Sequence, residues 1–450
     1  MGTTLVRNIH TLVTMDDMRR EISQGAMFLQ DNFITAVGRL ADMPPIVPDR
    51  VIDLPHHIVI PGLINTHHHM FQTLTRVIAQ DKELFEWLTR LYPIWERLNS
   101  EAAYISAKLA MAELILSGCT TSSDHLYIYP NDVELDDTIR AAQEIGMRFH
   151  AARGSMSVGE KQGGLPPDRV VEDEDMILRD TRRLIEAYHD PSPGSMLQIV
   201  VAPCSPFSVS QDLMRESAAL ARSYHVRLHT HLAENTNDVA YSLERLGVLP
   251  GDYAQETGWL GEDVWHAHCV FLNDREIGLF ARTGTGVCHC PTSNLRLASG
   301  IAPVRKMLDQ GVRVGLGVDG SASNDSSGLL EEARMAMLVQ RARGNPAGLS
   351  AREALELATV GSASLLGRQD IGALAPGMAA DFAAFRLDRI GYSGALHDPV
   401  AALLFCRSAN ADMVMIDGRI AVQEGNLLTA DVPVLIERHN CISQALINDD

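Results

Sequence analysis

Residues 61–69 read PGLINTHHH, so an apolar run of strand character ends in three consecutive histidines. Alternate side chains of a strand lie on one face, which directs His67 and His69 to the same side. Two imidazoles that converge at the end of a strand suit a divalent transition metal. The stretch therefore predicts a metal site at a strand end, with a polar histidine loop as the alternative.

The same pattern recurs at three later strand ends. Residues 227–231 read RLHTH, residues 265–269 read WHAHC, and the strand-like run 314–318 is followed by Asp319. A (β/α)8 barrel gathers the C-terminal ends of its strands at one mouth, so groups that are distant in sequence become neighbours there. Four such strand ends predict a barrel with a metal at its mouth.

Strand-like and helical segments alternate from about residue 58 to residue 366, as repeated βα units do. The predicted strands are 59–65, 120–125, 148–152, 198–202, 227–231, 264–268, 286–289 and 313–318. Predicted helices between them include 102–117, 174–188, 211–224 and 273–283, each with apolar residues at three-to-four spacing. Eight strands fit a closed barrel.

Both chain ends are rich in strand-forming residues. Predicted strands there lie at 4–6, 26–29, 34–37, 379–385, 413–416 and 419–423. The last two are joined by Asp417-Gly418, a hairpin turn pair. The predicted fold class is α/β, a TIM barrel with a small β-sandwich built from both ends. The predicted domains are residues 60–369 for the barrel, with 1–59 and 370–450 as the two parts of the sandwich.

The composition excludes several classes of protein. In 450 residues, 46% are hydrophobic and 21% charged, which is ordinary globular usage rather than that of a disordered chain. A net charge of −19 disfavours binding to nucleic acid or to an anionic membrane. Seven scattered cysteines, no basic and apolar leader and no long apolar run predict a cytoplasmic protein with reduced thiols.

Several longer motifs make the chain resemble a known family. They are PGLINTHHH (61–69), HTHLAEN (229–235), HAHCVFL (266–272), HCPTSNLRL (289–297), LGVDGSASND (316–325) and GALAPGMAADF (372–382). Over nearly its whole length the chain is similar to the amidohydrolase superfamily, within it the cytosine deaminase and atrazine chlorohydrolase group. The resemblance implies that Glu234 is the proton shuttle and that His268 is the polarising histidine. It also implies four metal ligands: His67, His69, His231 and Asp319.

The resemblance also implies one divalent metal per chain. Relatives with two bridged metals usually carry a carbamylated lysine at the end of the fourth barrel strand, and residues 198–204 contain no lysine. Zinc suits three imidazoles, one carboxylate and a retained water, and Fe²⁺ has similar geometry in relatives. Homo-oligomers are usual for the fold, so the chain is expected to form one.

These residues predict a hydrolytic deaminase acting on a small aminated heterocycle. Hydroxide activated by the metal attacks an amidine-like carbon, and ammonia leaves. In this interpretation Asp319 accepts the proton of the water, Glu234 passes a proton to the departing amine, and His268 stabilises the developing charge.

Four further residues are candidates for contact with the substrate. Gln72 presents an amide to a planar base or caps a helix, and Trp87 closes over the ring or packs in the core. Cys204 occupies a position where nucleoside deaminases of the group usually carry histidine. Arg153 follows the third strand and either contacts the substrate or forms a salt bridge.

The stretches HHHMFQTLTR (67–76), FEWL (85–88) and PCSPF (203–207) resemble the 8-oxoguanine deaminase branch, which is often grouped with hydroxydechloroatrazine ethylaminohydrolases. This resemblance implies conversion of 8-oxoguanine to urate and ammonia, with Gln72 and Cys204 at the imidazolone side of the purine. The alternatives are a triazine amino- or chlorohydrolase, and a guanine or nucleoside deaminase. A non-catalytic scaffold is the remote alternative, because all six ligand and shuttle positions are filled.

Overall fold

The computed structural model describes residues 2–406 and 410–448. In chain order the strands are β1 (Thr3–Val13), β2 (Glu21–Gln30), β3 (Phe33–Arg39), β4 (Arg50–Asp53), β5 (His57–Pro61), β6 (Leu63–Asn65), β7 (Cys119–Leu126), β8 (Arg148–Ser155), β9 (Leu197–Pro203), β10 (Arg227–Leu232), β11 (Val264–His268), β12 (Gly286–His289), β13 (Arg313–Leu316), β14 (Phe382–Arg386), β15 (Met413–Ile416), β16 (Arg419–Gln423) and β17 (Asn426–Leu427). They form two sheets.

The α-helices follow the same numbering. They are α1 (Leu84–Trp95), α2 (Ser100–Leu116), α3 (Leu135–Ile145), α4 (Glu174–Tyr188), α5 (Gln211–Ser223), α6 (Thr236–Tyr241), α7 (Pro250–Glu256), α8 (Asp274–Thr283), α9 (Pro291–Arg296), α10 (Val304–Asp309), α11 (Leu329–Ala342), α12 (Ala351–Glu356), α13 (Ser362–Leu365), α14 (Pro399–Phe405) and α15 (Val432–Asn448). A short 3-10 turn at Met70–Thr75 directly follows the histidine run. Among the described residues no helix is long and apolar enough to cross a bilayer.

Strands β6 to β13 form the barrel, and each pairs in parallel with the next along the chain. The first and last strands meet where Thr66 N donates to the carbonyl oxygen of Leu316 at 2.9 Å and Asp319 N donates to that of His67 at 3.1 Å. The predicted (β/α)8 barrel is confirmed. Closure at this point places His67 beside Asp319, although about 250 residues separate them in sequence.

Helix boundaries agree with the sequence where side-chain caps are present. α4 begins after Asp173, whose carboxylate accepts from Met176 N at 3.1 Å. α8 begins after Asn273, which forms a capping box with Glu276. α2 begins two residues before the predicted start, because Asn99 accepts from Ala102 N and supplies the cap.

Strands from both chain ends form the second sheet, which has nine strands in the order β17-β16-β15-β14-β5-β1-β2-β3 with β4 on β1. β14, from the C-terminal part, pairs with β5, from the N-terminal part, in antiparallel register. One face of the sheet encloses its own hydrophobic cluster, which includes Val6, Met27, Phe382 and Met415. The prediction that both ends assemble into one β structure beside the barrel is confirmed.

The predicted strand 59–65 is two strands, and this corrects the sequence analysis. β5 ends at Pro61 in the end sheet, and β6 starts at Leu63 in the barrel. Between them Gly62 N donates to the carbonyl of Asp381, whereas Leu63 N donates to that of Gly118. The backbone therefore changes sheets at Gly62, where a Cβ would lie 2.7 Å from the Cβ of Thr120 and overlap the rest of that side chain.

Residues 370–450 contain helices that the sequence analysis did not predict. α15 packs on the barrel rather than on the end sheet: Nε2 of His439 lies 2.9 Å from Oγ1 of Thr73, and Ser443 Oγ donates to the carbonyl of Leu74 at 2.6 Å. Burial, with the nearby charge of Arg76, lowers the pKa of His439 to about 4, so this contact is made by a neutral ring. The C-terminal helix thus anchors the turn that carries Gln72.

We expect Gly62→Ala to destabilise the protein, because the new methyl group cannot fit beside Thr120 without a shift of β6 or β7. Overpacking of this kind typically costs about 1–3 kcal/mol. Thermal unfolding followed by circular dichroism measures the effect. Gly278→Ala on α8 is the control, since its Cβ would meet only the flexible side-chain ends of Arg282, at 3.3 Å, and Gln310, at 3.6 Å. Equal unfolding midpoints for both variants and the unmodified chain would contradict this account.

Candidate active site

A cavity of about 410 Å³ lies at the C-terminal ends of the barrel strands. Eight of the residues singled out from the sequence line it: His69, Gln72, Trp87, Cys204, His231, Glu234, His268 and Asp319. His67 lies behind them, with Nε2 3.3 Å from Oδ1 of Asp319. Apolar side chains, among them Leu84, Leu88 and Phe207, form the opposite wall. Helix α1 supplies much of that wall.

The histidine run after β6 divides between two faces, as strand alternation predicts. His67 and His69 turn into the barrel, whereas His68 turns away and its Nε2 lies 3.1 Å from Oγ of Ser327. Gly317 makes room for the first of them, because a Cβ there would lie 2.7 Å from the Cβ of His67. Two of the three imidazoles therefore point into the site, and the third points to the other side of the strand end.

Backbone carbonyls fix which ring nitrogen carries the proton in two of the histidines. Nδ1 of His69 lies 2.7 Å from the carbonyl oxygen of His125, and Nδ1 of His231 lies 2.6 Å from that of Cys204. A carbonyl oxygen only accepts, so each Nδ1 donates and, in the neutral ring, each Nε2 keeps its lone pair. Both lone pairs are thereby available inside the site.

These lone pairs converge on one region of the site. Nε2 of His69 lies 3.1 Å from Nε2 of His231 and 3.4 Å from Oδ1 of Asp319. Nε2 of His67 is buried and has no hydrogen-bond partner. Acceptor atoms at these distances repel one another unless a cation lies among them. Three imidazole nitrogens and one carboxylate oxygen are a donor set that fits a divalent metal.

The pKa values of the rings agree with that role. Burial lowers the pKa of His67 well below its usual value. Burial, with His69 and His268 nearby, lowers the pKa of His231 to about 3. Both rings are therefore neutral at pH 7, which is the form that binds metals.

An acid-base pair lies beside the donor set. Oε2 of Glu234 is 3.5 Å from Nε2 of His268, whose Nδ1 is held 2.8 Å from Oδ1 of Asn294. Burial raises the pKa of Glu234 to about 7, against the opposing effect of His268. Burial alone would lower the pKa of His268, but Glu234 and Asp319 outweigh it and raise that pKa. The pair can exchange protons near neutral pH.

Gln72 and Trp87 reach the cavity from different elements. Gln72 lies on the turn Met70–Thr75; its Nε2 donates to the hydroxyl of Tyr127 at 3.2 Å, and its Oε1 is buried without a partner. Trp87 lies on α1 and donates from Nε1 to the carbonyl of Ala322 at 3.0 Å. The Gln72 amide thus offers an unused acceptor, while the indole is fixed in the wall.

Cys204 follows β9 and also lines the cavity. Burial raises the pKa of its thiol to about 12, so the sulfur is a neutral S–H at pH 7. The sulfur lies 3.9 Å from Nδ1 of His231. Cys204 therefore offers a soft, weak hydrogen-bonding group between the metal ligands and the apolar wall.

Arg153 does not reach the cavity. Its guanidinium bonds Glu172 at 2.7 Å and Asp180 at 3.1 Å, and it lies over the ring of Tyr129 at 4.1 Å from the centroid. These partners satisfy the charge on the outer side of β8. Of the two interpretations open from the sequence, the structure contains the salt bridge.

The sequence analysis missed residues near the site. His125 is the penultimate residue of β7 and stacks on His231 with ring centroids 5.0 Å apart. A ring nitrogen of His125 lies within 4.8 Å of ligand atoms of three predicted histidines. The pair Asp124-His125 at a strand end was the available signal. Tyr127 lines the cavity two residues later. Asn294 lies in the motif HCPTSNLRL (289–297), but its contact with Nδ1 of His268 could not be predicted from the sequence.

Comparison with known proteins agrees with this site. The model of the "Amidohydrolase family" matches residues 58–421. The chain is 45% identical, over 99% of its length and 100% of the relative, to 8-oxoguanine deaminase of Pseudomonas aeruginosa. It is 37% identical, over 100% of its length and 97% of the relative, to hydroxydechloroatrazine ethylaminohydrolase of Pseudomonas sp. strain ADP.

A solved structure extends the comparison to three dimensions. Atrazine chlorohydrolase TrzN from Arthrobacter aurescens TC1, complexed with zinc, superposes with a TM-score of 0.93 at 35% identity, covering 98% of this chain and 100% of that one. The barrel and the end sheet are thus parts of one known architecture. The chain belongs to the amidohydrolase family and is a hydrolase that acts on carbon–nitrogen bonds.

Proposed function

We propose that this chain is a metal-dependent deaminase that converts 8-oxoguanine to urate and ammonia. One observation carries the proposal: Glu234, with a pKa of about 7, lies beside His268 and the convergent donors and is only 5% exposed. A group with that pKa can both donate and accept a proton at neutral pH, as deamination requires. The similarity to the 8-oxoguanine deaminase of P. aeruginosa supports the choice of substrate.

We propose that the cofactor is one divalent ion per chain, zinc in preference to iron. His67, His69, His231 and Asp319 would hold it through the atoms described above. When bound, such an ion lowers the pKa of a water molecule toward about 7 and so supplies the nucleophile. The zinc complex of the related chlorohydrolase supports this identity of the metal.

The residues around the donors manage the protons of the reaction. Asp319 directs Oδ2 toward Nε2 of His268, 3.8 Å away, and accepts a proton from the attacking water. Glu234 delivers a proton to the exocyclic nitrogen, so that the C–N bond breaks with loss of neutral ammonia. His268 donates toward the oxygen that joins the carbon. The proton that Asp319 accepts passes to the ring nitrogen, whose C=N bond becomes single as the C–O bond forms. The second proton of the water restores the one that Glu234 gave to the departing ammonia.

Two polar groups on the cavity wall support a purine with an oxidised imidazole ring. The unpartnered Oε1 of Gln72 accepts from a ring N–H, and the neutral thiol of Cys204 contacts the N7–H and O8 edge that distinguishes 8-oxoguanine from guanine. Trp87 and Leu88 provide flat apolar surface for the ring. The aromatic and apolar residues of α1 that line the cavity suit the face of a free base.

A triazine hydrolase is the second candidate. The similarity to hydroxydechloroatrazine ethylaminohydrolase favours it, since both substrates are planar rings with an amine on an amidine-like carbon. Ammonia release from 8-oxoguanine, guanine and an aminotriazine, measured side by side, separates the two. Higher kcat/KM on the triazine would replace 8-oxoguanine as the substrate while leaving the site chemistry unchanged.

We expect one metal ion per active chain, because the described donors converge on one point and the fourth barrel strand carries no lysine. Elemental analysis of protein purified without chelator gives the number. Removal of the metal with a chelator should abolish turnover, and one equivalent of Zn²⁺ should restore it. Two ions per active chain would overturn the mononuclear site.

Glu234→Gln should retain the metal and lose turnover, since the amide keeps the shape of the side chain but cannot carry a proton. We expect kcat to fall by about 10²–10⁴-fold, the usual range for a general acid-base group. The control is Glu244→Gln, which is exposed on the following turn and should behave like the unmodified enzyme. Activity of the Glu234 variant within about threefold of normal would remove Glu234 from the mechanism.

Cys204→Ala should reduce the preference for 8-oxoguanine over guanine. A buried N–H left without its partner costs about 1–3 kcal/mol, which predicts a loss in relative kcat/KM of about tenfold or more. Cys119→Ala removes another buried thiol, one that donates within β7, and serves as the control. An unchanged preference in the Cys204 variant would show that the thiol takes no part in recognition.

A further inference from the structure

His229 lies behind the metal donors and contacts one of them. It precedes His231 by two residues on β10 and is fully buried. Its Nε2 is 2.7 Å from Nδ1 of His67, and its own Nδ1 is 3.0 Å from the carbonyl oxygen of Trp265. The two contacts form a chain that runs from a backbone carbonyl to the ring of a predicted ligand.

The direction of each hydrogen bond in this chain follows from its far end. The carbonyl of Trp265 can only accept, so Nδ1 of His229 carries a proton and donates it. In the neutral ring the lone pair of His229 is then on Nε2, which accepts from Nδ1–H of His67. The remaining lone pair of His67 is consequently on Nε2, the buried atom without a hydrogen-bond partner.

The ring of His229 is also held in place. It stacks on the indole of Trp265, with centroids 4.6 Å apart and planes 16° from parallel. The indole Nε1 donates to the carbonyl of Thr66 at 3.2 Å, one residue before His67. Indole, His229 and His67 thus form a closed circuit that links β10, β11 and the end of β6. The acceptor for His67 cannot move without disturbing that circuit.

We propose that His229 is a positioning residue that selects the Nδ1–H tautomer of His67 and so presents Nε2 to the metal. Without this acceptor, the proton of His67 is better placed on Nε2, where it faces the carboxylate of Asp319 at 3.3 Å and competes with a cation. His69 and His231 have backbone carbonyls in the corresponding role, whereas His67 depends on a side chain. The inference rests on the proposed metal site.

Metal retention tests this directly. His229→Leu removes the acceptor, whereas His229→Gln restores an amide oxygen that can accept from Nδ1 of His67. The control is His266→Leu on β11: this ring is also buried and bonded to a carbonyl, that of Trp259 at 2.9 Å, but it packs against Phe280 away from the donors. Each protein is loaded with zinc, and release to a colorimetric chelator is timed. Cobalt-loaded samples give the visible absorption of the site.

We expect the leucine variant to release zinc about 10–100-fold faster than the unmodified protein, the usual cost of losing such an outer partner. Release from the glutamine variant and from His266→Leu should stay within about threefold, with unchanged cobalt spectra. If the leucine variant does not fold, His229→Phe, whose ring can stack on Trp265, replaces it in the comparison.

Equal release from the leucine and unmodified proteins would overturn the role of His229 alone. Equally fast release from the leucine and glutamine variants would also overturn it, because the hydrogen-bond acceptor would then be irrelevant. Failure of the unmodified protein to hold zinc or cobalt is a separate result, which would overturn the proposed metal site together with this inference.

Discussion

The convergence of buried acceptor atoms at the barrel mouth is the constraint on which the surrounding structure depends. The Nε2 atoms of His69 and His231 lie 3.1 Å apart, and that of His69 lies 3.4 Å from Oδ1 of Asp319. Each ring is held there by a bond from its opposite nitrogen, so the fold itself supplies the force that keeps the acceptors together. Barrel closure between β6 and β13 completes the arrangement by bringing the carboxylate to the histidines.

Burial at this site shifts the pKa values of the bases and of the acid in opposite directions. On the donor side burial favours neutral imidazoles, and a pKa of about 3 for His231 keeps the ring free to bind a cation. Beside it, the same burial has the opposite consequence for an acid, raising the pKa of Glu234 to about 7. One buried cavity thus prepares bases for a metal and an acid for proton transfer, whereas solvent-exposed groups would keep their ordinary pKa values.

Strand alternation made most of the barrel predictable, because it fixes both the periodicity of buried strands and the common direction of His67 and His69. The sequence analysis failed where local pattern and tertiary context diverge. Residues 59–64 contain no polar side chain that would mark a break, and the change of sheet at Gly62 depends on its close approach to Thr120. Helix α15 escaped notice because its inner face mixes buried apolar residues, Leu435 and Leu446, with the polar anchor His439.

The residues at the strand ends and the residues of the cavity wall depend on different parts of the structure. The proposed metal donors and acid-base pair lie at strand ends and so depend on the barrel of the amidohydrolase family. Gln72 and Cys204 instead lie on segments after β6 and β9, where a substitution alters the cavity wall without moving a ligand. The amide of Gln72 nevertheless requires glycine at position 320, because a Cβ there would lie 1.8 Å from Oε1 of Gln72. Selectivity for the substrate therefore has to be sought in a few wall residues whose positions are fixed by the barrel and by α15.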